Sequence, residues 1–166
     1  MARLADNDAW RQQLRDPELR KDRAALERLA AADGVMDQPP GNLTLLSRAL
    51  LEANAQAVGV RLLRRAQARH PADFWINLEL ANMLYGDPAT RTEALGFIRV
   101  AVALRPRSPV LYMNLAAALG VHKKAEEAEA ACRRAIREAE GAYRKAAGLE
   151  PKNAKFAQWI TKAERQ

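Results

Sequence analysis

Residues 71–81, PADFWINLELA, and residues 106–116, PRSPVLYMNLA, decide how this chain folds. Each opens on a proline, and nine positions later each reaches a leucine followed by alanine, Leu80-Ala81 and Leu115-Ala116. Pro71 and Pro106 lie 35 positions apart. One repeat earlier stand Leu46-Ser47, and nine positions after Pro151 stand Ile160-Thr161. Leu50, Leu84 and Leu119 follow four or so positions further on, which keeps the apolar and small residues on one helical face. A second helix repeats beside the first. Gly59, Ala94 and Ala128 are small, Leu63, Ile98 and Cys132 come four positions later, and Ala66, Ala101 and Ala135 three after that. Small side chains at facing positions let two helices approach closely. The proline then ends the second helix, because the residue before it avoids the helical region.

Composition agrees with an all-α chain. Hydrophobic residues make up 49% but aromatics only 5% of the 166 residues, and β-branched clusters that would mark strands are missing. Lysine and arginine number 27 against 20 acids, a net charge of +7 that permits an acidic partner. Cys132 is the single cysteine, so no internal disulfide can form, which fits a reducing cytosol. No stretch reaches the roughly 18 apolar residues of a membrane span. The first residues carry acids and no apolar run, unlike a secretory signal, and the expected location is the cytoplasm.

Repeats of about 34 residues with this leucine, small, alanine and proline pattern resemble tetratricopeptide repeats. The resemblance covers about residues 40 to 166 and implies a right-handed solenoid of antiparallel helix hairpins. One domain, 1–166, is expected. It would comprise a degenerate N-terminal hairpin over 1–38, repeats over 40–73, 74–108 and 109–150, and a capping helix over 152–166. The segments 64–77, RRAQARHPADFWIN, and 101–108, AVALRPRS, are also similar to the repeat regions of planctomycete-type bacterial serine/threonine protein kinases, and 20–29 fits the segment before those repeats. The chain itself has no glycine-rich phosphate loop, His-Arg-Asp loop or Asp-Phe-Gly.

Departures from the regular repeat predict particular elements. Two short helices are expected near 8–16 and 22–32, stopped by Asp33-Gly34, with 38–42 as a linker. The second repeat holds its extra residue in the turn sequence 85–91. The third repeat shows second-helix features twice, at Ala128, Cys132, Ala135 and again at Ala139, Tyr143, Ala146. Their offset of eleven is close to three helical turns, so one long helix from about Lys124 to Gly148 is predicted, with Gly141 its weak point and a break there the rival reading. Phe156 and Ile160 are expected to face inward from the cap.

Chemistry is hard to find. His70 and His122 have no acid or cysteine at metal-ligand spacing, Ser47 and Ser108 have no neighbouring histidine, and Cys132 is expected to pack in the core. No catalytic residue, metal or cofactor is expected. The tetratricopeptide resemblance implies instead a concave groove lined by the first helix of each repeat. Arg48, then Trp75, Glu79, Asn82 and Tyr85, then Asn114 would project into it and hold a peptide or protein partner. An asparagine offers both donor and acceptor to an extended chain. The basic clamp that some family members use for acidic chaperone tails is matched by Asn114 alone, since Val110, Met113 and Ala117 fill the neighbouring positions. Arg61, Arg64, Arg65, Arg99, Arg133, Arg134, Arg137, Arg144 and Lys145 recur on the second helices and would form a convex basic stripe. Without interleaved aromatics, and diluted by glutamates, the stripe argues against nucleic acid as the main partner. Self-association, an electrostatic binder of nucleic acid through that stripe, and an engineered or trimmed repeat protein are the other readings the residues allow.

Overall fold

The computed structural model describes residues 8–149. It contains, among them, α1 (Ala9–Arg15), α2 (Arg23–Ala31), α3 (Pro40–Glu52), α4 (Gln56–Arg69), α5 (Phe74–Tyr85), α6 (Arg91–Leu104), α7 (Pro109–Val121) and α8 (Ala125–Leu149), with short 3-10 turns at Leu19–Lys21 and Val35–Asp37 and no strand. The chain divides into two compact units, Met1–Val100 and Ala101–Gln166. The expected capping helix over 152–166, with Phe156 and Ile160, lies outside the described residues.

In the first unit, aspartates start three helices. Asp8, Asp22 and Asp73 each accept a hydrogen bond from the backbone N–H three residues on, at 3.0, 3.0 and 2.9 Å. These bonds satisfy amides that a helix start leaves without a partner. Gly34 follows α2 in the left-handed region at φ 73°, as the stop signal requires. The expected linker at 38–42 is shorter than anticipated. Pro40 is the first residue of α3, and Gly41 and Asn42 continue it. A proline cannot extend a helix from within but suits its first position, where its missing N–H would have had no partner anyway.

α3 packs on α4, and α5 packs on both. Leu43, Leu46, Leu50, Leu62 and Ile76 join Leu14, Leu26 and Leu29 of the N-terminal helices in one core. Leu63, Leu80, Met83, Leu84 and Ala94 form another, against which Phe97 and Tyr85 pack. The small positions do what their spacing predicts. A Cβ built on Gly59 would stand 3.2 Å from the Ser47 carbonyl oxygen and 3.2 Å from Met83 Cε, so α3, α4 and α5 meet there at a distance only glycine allows without a shift.

In the second unit α7 packs on α8. α8 runs unbroken through Gly141 for 25 residues, the long helix that the eleven-residue offset predicts. Cys132 is a correction: it is exposed, and Ala131 and Ala135 are the buried residues of that helix among those described. In α4, flanked by α3 and α5, both Leu62 and Leu63 are buried. α7 packs on α8, where Ala131 is buried and the adjacent position is left to solvent.

The hairpin turns differ by repeat. Asn54 and Lys123 stand two residues past α3 and α7 with φ of 57° and 56°. The following N–H of Ala55 donates to Leu50 O at 2.7 Å, and that of Lys124 to Leu119 O at 3.0 Å, the same left-handed helix stop in both. The longer α5–α6 turn uses side chains instead. Thr90 Oγ1 donates to Leu84 O at 2.7 Å and Arg91 Nε to Tyr85 O at 3.2 Å.

Candidate functional site

α5 offers solvent very little. Of its twelve residues only Trp75 and Asn82 are exposed, with Phe74, Leu78 and Tyr85 half-buried and the other seven buried. Trp75, Leu78, Asn82 and Tyr85 follow one another at i, i+3, i+7 and i+10, one stripe of a helix. Trp75 is 48% exposed, and its ring meets Phe74 edge-on at 4.9 Å between centroids. Ring contact on one edge holds the indole in place and leaves much of its surface open to a partner. Leu78 belongs to this stripe and was not singled out from the sequence; its i+3 spacing from Trp75 is the signal that finds it.

Glu79, expected among the groove residues, is 5% exposed. Arg48 of α3 takes up its carboxylate, with Nε and Nη2 both donating to Oε2, at 2.8 and 2.7 Å. That hydrogen-bonded carboxylate raises the Arg48 pKa above its ordinary value. The pair therefore ties α3 to α5 beneath the stripe, while the Arg48 side chain stays half exposed. The first unit thus brings Arg48, Trp75, Glu79, Asn82 and Tyr85 onto neighbouring helices. Asn114 lies on α7 of the second unit and is half-buried.

The turns that lead into α5 and α7 are held by one device with two chemistries. Asn77, fully buried, donates through Nδ2 to Pro71 O at 2.9 Å, and Tyr112 donates through its hydroxyl to Pro106 O at 3.2 Å. Both residues stand six positions after a repeat proline, so the proline carbonyl gains a side-chain donor in both of these repeats.

Three arginines of the stripe are engaged in ion pairs. Arg64 pairs with Glu93 at 2.6 Å, Arg133 with Glu129 at 3.1 Å and Arg134 with Glu138 at 2.6 Å. Arg134 also lies 5.8 Å over the Tyr112 ring. Among the described residues no three histidine, cysteine or acidic side chains gather as a metal site, and no helix is long and apolar enough to cross a membrane.

Solved structures share this arrangement of hairpins. A structure of MamA from MSR-1 superposes with a TM-score of 0.61 at 21% identity, covering 72% of this chain and 67% of that one. MamA from AMB-1 gives 0.60 at 22% identity, over 72% and 63%. A thermophilic TPR protein of Thermus thermophilus gives 0.52 at 18% identity, over 87% and 89%. The fold is of the tetratricopeptide type. The chain spans about two thirds of the length of the MamA chains it matches. No protein-family model and no curated protein matches the sequence.

Proposed function

We propose that this chain is a protein-docking scaffold without catalysis of its own, working in the cytoplasm. One observation carries the reading: α5, whose other residues are buried or half-buried, leaves to solvent a tryptophan held by its neighbour and an asparagine two turns on. Trp75 supplies apolar contact area at low entropic cost, and Asn82 supplies a donor and an acceptor for a partner's backbone. Arg48 and Glu79 brace the surface, and Tyr85 borders it. Tetratricopeptide-type neighbours support a role in binding proteins. The similarity of residues 64–77 to kinase-associated repeats supports a regulatory place beside a bacterial serine/threonine kinase; a kinase domain encoded next to this segment is the expected finding, and its absence sinks that placement.

A random peptide library displayed on phage and selected on the immobilised protein tests the docking role. Selected peptides should lose about tenfold or more in affinity for the Trp75→Ala/Asn82→Ala variant, the loss of one anchor residue. Circular dichroism should stay unchanged, since both side chains are exposed. Equal affinity for variant and wild type removes the assignment to α5.

A further inference from the structure

α7 leaves an apolar stripe uncovered. Val110, Met113 and Val121 are 66%, 57% and 47% exposed, and Ala117 and Gly120 between them are exposed too. The spacing puts all five on one side of the helix, with Asn114 among them. Leu111, Ala116, Ala118 and Leu119 are the buried residues. A Cβ added at Gly120 would meet nothing within 4 Å, so the surface is open there. Isolated exposed apolar residues need no explanation, but a contiguous stripe of them does.

Charge selects the occupant. From Ala94 to Ala125 the chain has no aspartate or glutamate, yet carries Arg99, Arg105, Arg107, Lys123 and Lys124. Lys124 is met by Glu127 at 3.0 Å. Arg107 and Lys123, just beyond the two ends of α7, are exposed and make no ion pair among the described residues. A second copy of this face would bring cations against cations in either orientation, and like charges across an interface oppose it. A bilayer favours protruding bulk and aromatic side chains. Here the C-terminal half of the stripe holds Ala117 and Gly120, which give a bilayer little side chain to insert and leave open space for a partner's side chain.

We propose that α7 docks an acidic amphipathic helix of a partner protein, with apolar residues at i, i+3 and i+7 on Val110, Met113 and Ala117 and carboxylates reaching Arg107 and Lys123. This rests on the docking reading above and adds a second surface with its own partner chemistry. Such a helix lays its apolar face along the stripe, and glutamates at its two ends match the cations at the ends of α7.

The probe is a fluorescent 18-residue peptide with leucines at i, i+3, i+7 and i+10 and glutamates at both ends, followed by anisotropy against the full chain. Two companions carry lysines for the glutamates or serines for the leucines. The acidic amphipathic peptide should bind about tenfold or more tightly than either companion, and more weakly as salt rises. Met113→Glu and Gly120→Phe should each cost about tenfold or more, the second by placing a ring where the partner's side chain would lie, whereas Thr92→Ala, exposed on α6, should change nothing. Equal binding of the three peptides, or equal binding by both α7 variants, overturns the proposal. So does tighter capture by anionic vesicles than by the peptide, or a concentration-dependent dimer in sedimentation that Met113→Glu splits. Library peptides that bind through Trp75 while this probe fails defeat the α7 assignment alone; failure of both defeats the docking reading as well.

Discussion

Glu79 shows how burial changes the meaning of a residue. On a helical wheel it shares the face of Trp75 and Asn82, but its carboxylate lies below the surface and Arg48 is its counterion. Removing one partner of such a pair leaves a buried charge unsatisfied, which costs more than the pair contributes. Arg48→Ala should lower stability by about 1–3 kcal/mol in urea unfolding, and adding Glu79→Gln should recover part of the loss. No recovery in the double variant would show that the carboxylate is hydrated. Asp8 makes a titration test. The Arg11 backbone N–H, followed by the Gln38 side chain, holds its carboxyl below the ordinary carboxylate value. A group depressed in the folded state stabilises fully above its unfolded pKa, and that contribution disappears as pH falls through the lower folded value. The Asp8 carboxyl carbon, followed by NMR, should titrate at lower pH in the folded protein than in urea, and coincident curves would refute the cap.

Elements owe their lengths to a few glycines and prolines, and the same residue type acts oppositely in two helices. In α4, Gly59 is wedged against the Ser47 carbonyl and Met83, so Gly59→Val should destabilise by about 1–3 kcal/mol through overpacking. In α8, nothing stands within 4 Å of a Cβ at Gly141. Gly141→Ala there should stabilise by about 0.5–1 kcal/mol, because glycine pays the larger entropy of ordering in a helix. Thermal unfolding of the two variants measures both signs, and a stabilising Gly59→Val would contradict the close approach. The length of α8 was readable from an offset of eleven residues, close to a whole number of turns. The exposure of Cys132 was not, because one residue along a helix turns a side chain from the packed side to the open one, and only the neighbouring helix says which.

At the scale of the molecule, the described core is unevenly shared. Leu14, Leu26, Leu43, Leu46, Leu50, Leu63, Ile76, Leu80 and Met83 are large side chains with almost no exposure, all in Met1–Val100. In Ala101–Gln166, Leu119 is the large side chain so enclosed among the described residues, and α7 and α8 leave Val110, Met113, Val121 and Ile136 exposed. Stability in repeat proteins is close to a sum over units and their neighbours. Native-state hydrogen exchange should therefore open amides of α7 and α8 at lower free energy than those of α3 and α5. Equal protection in all four helices would show a single cooperative unit.

The spacing in residues 71–81 and 106–116, together with its echo one repeat earlier, determined the first helix of each repeat, the period and the buried Leu80-Ala81 and Leu46-Ser47 pairs, because a helix buries positions at fixed spacing whatever lies across from them. The same local rules set the aspartate caps and the long α8. Tertiary structure alone decided which polar residue meets solvent and which meets another side chain. Glu79 became a brace and Asn82 stayed open on the same face of α5, since Arg48 reaches one position and not the other. It also decided that Pro40 begins a helix, and that the apolar residues of α7 divide into a packed side and an uncovered one. Spacing tells which residues share a face; what stands against that face depends on partners distant in sequence, and those are fixed only when the helices pack.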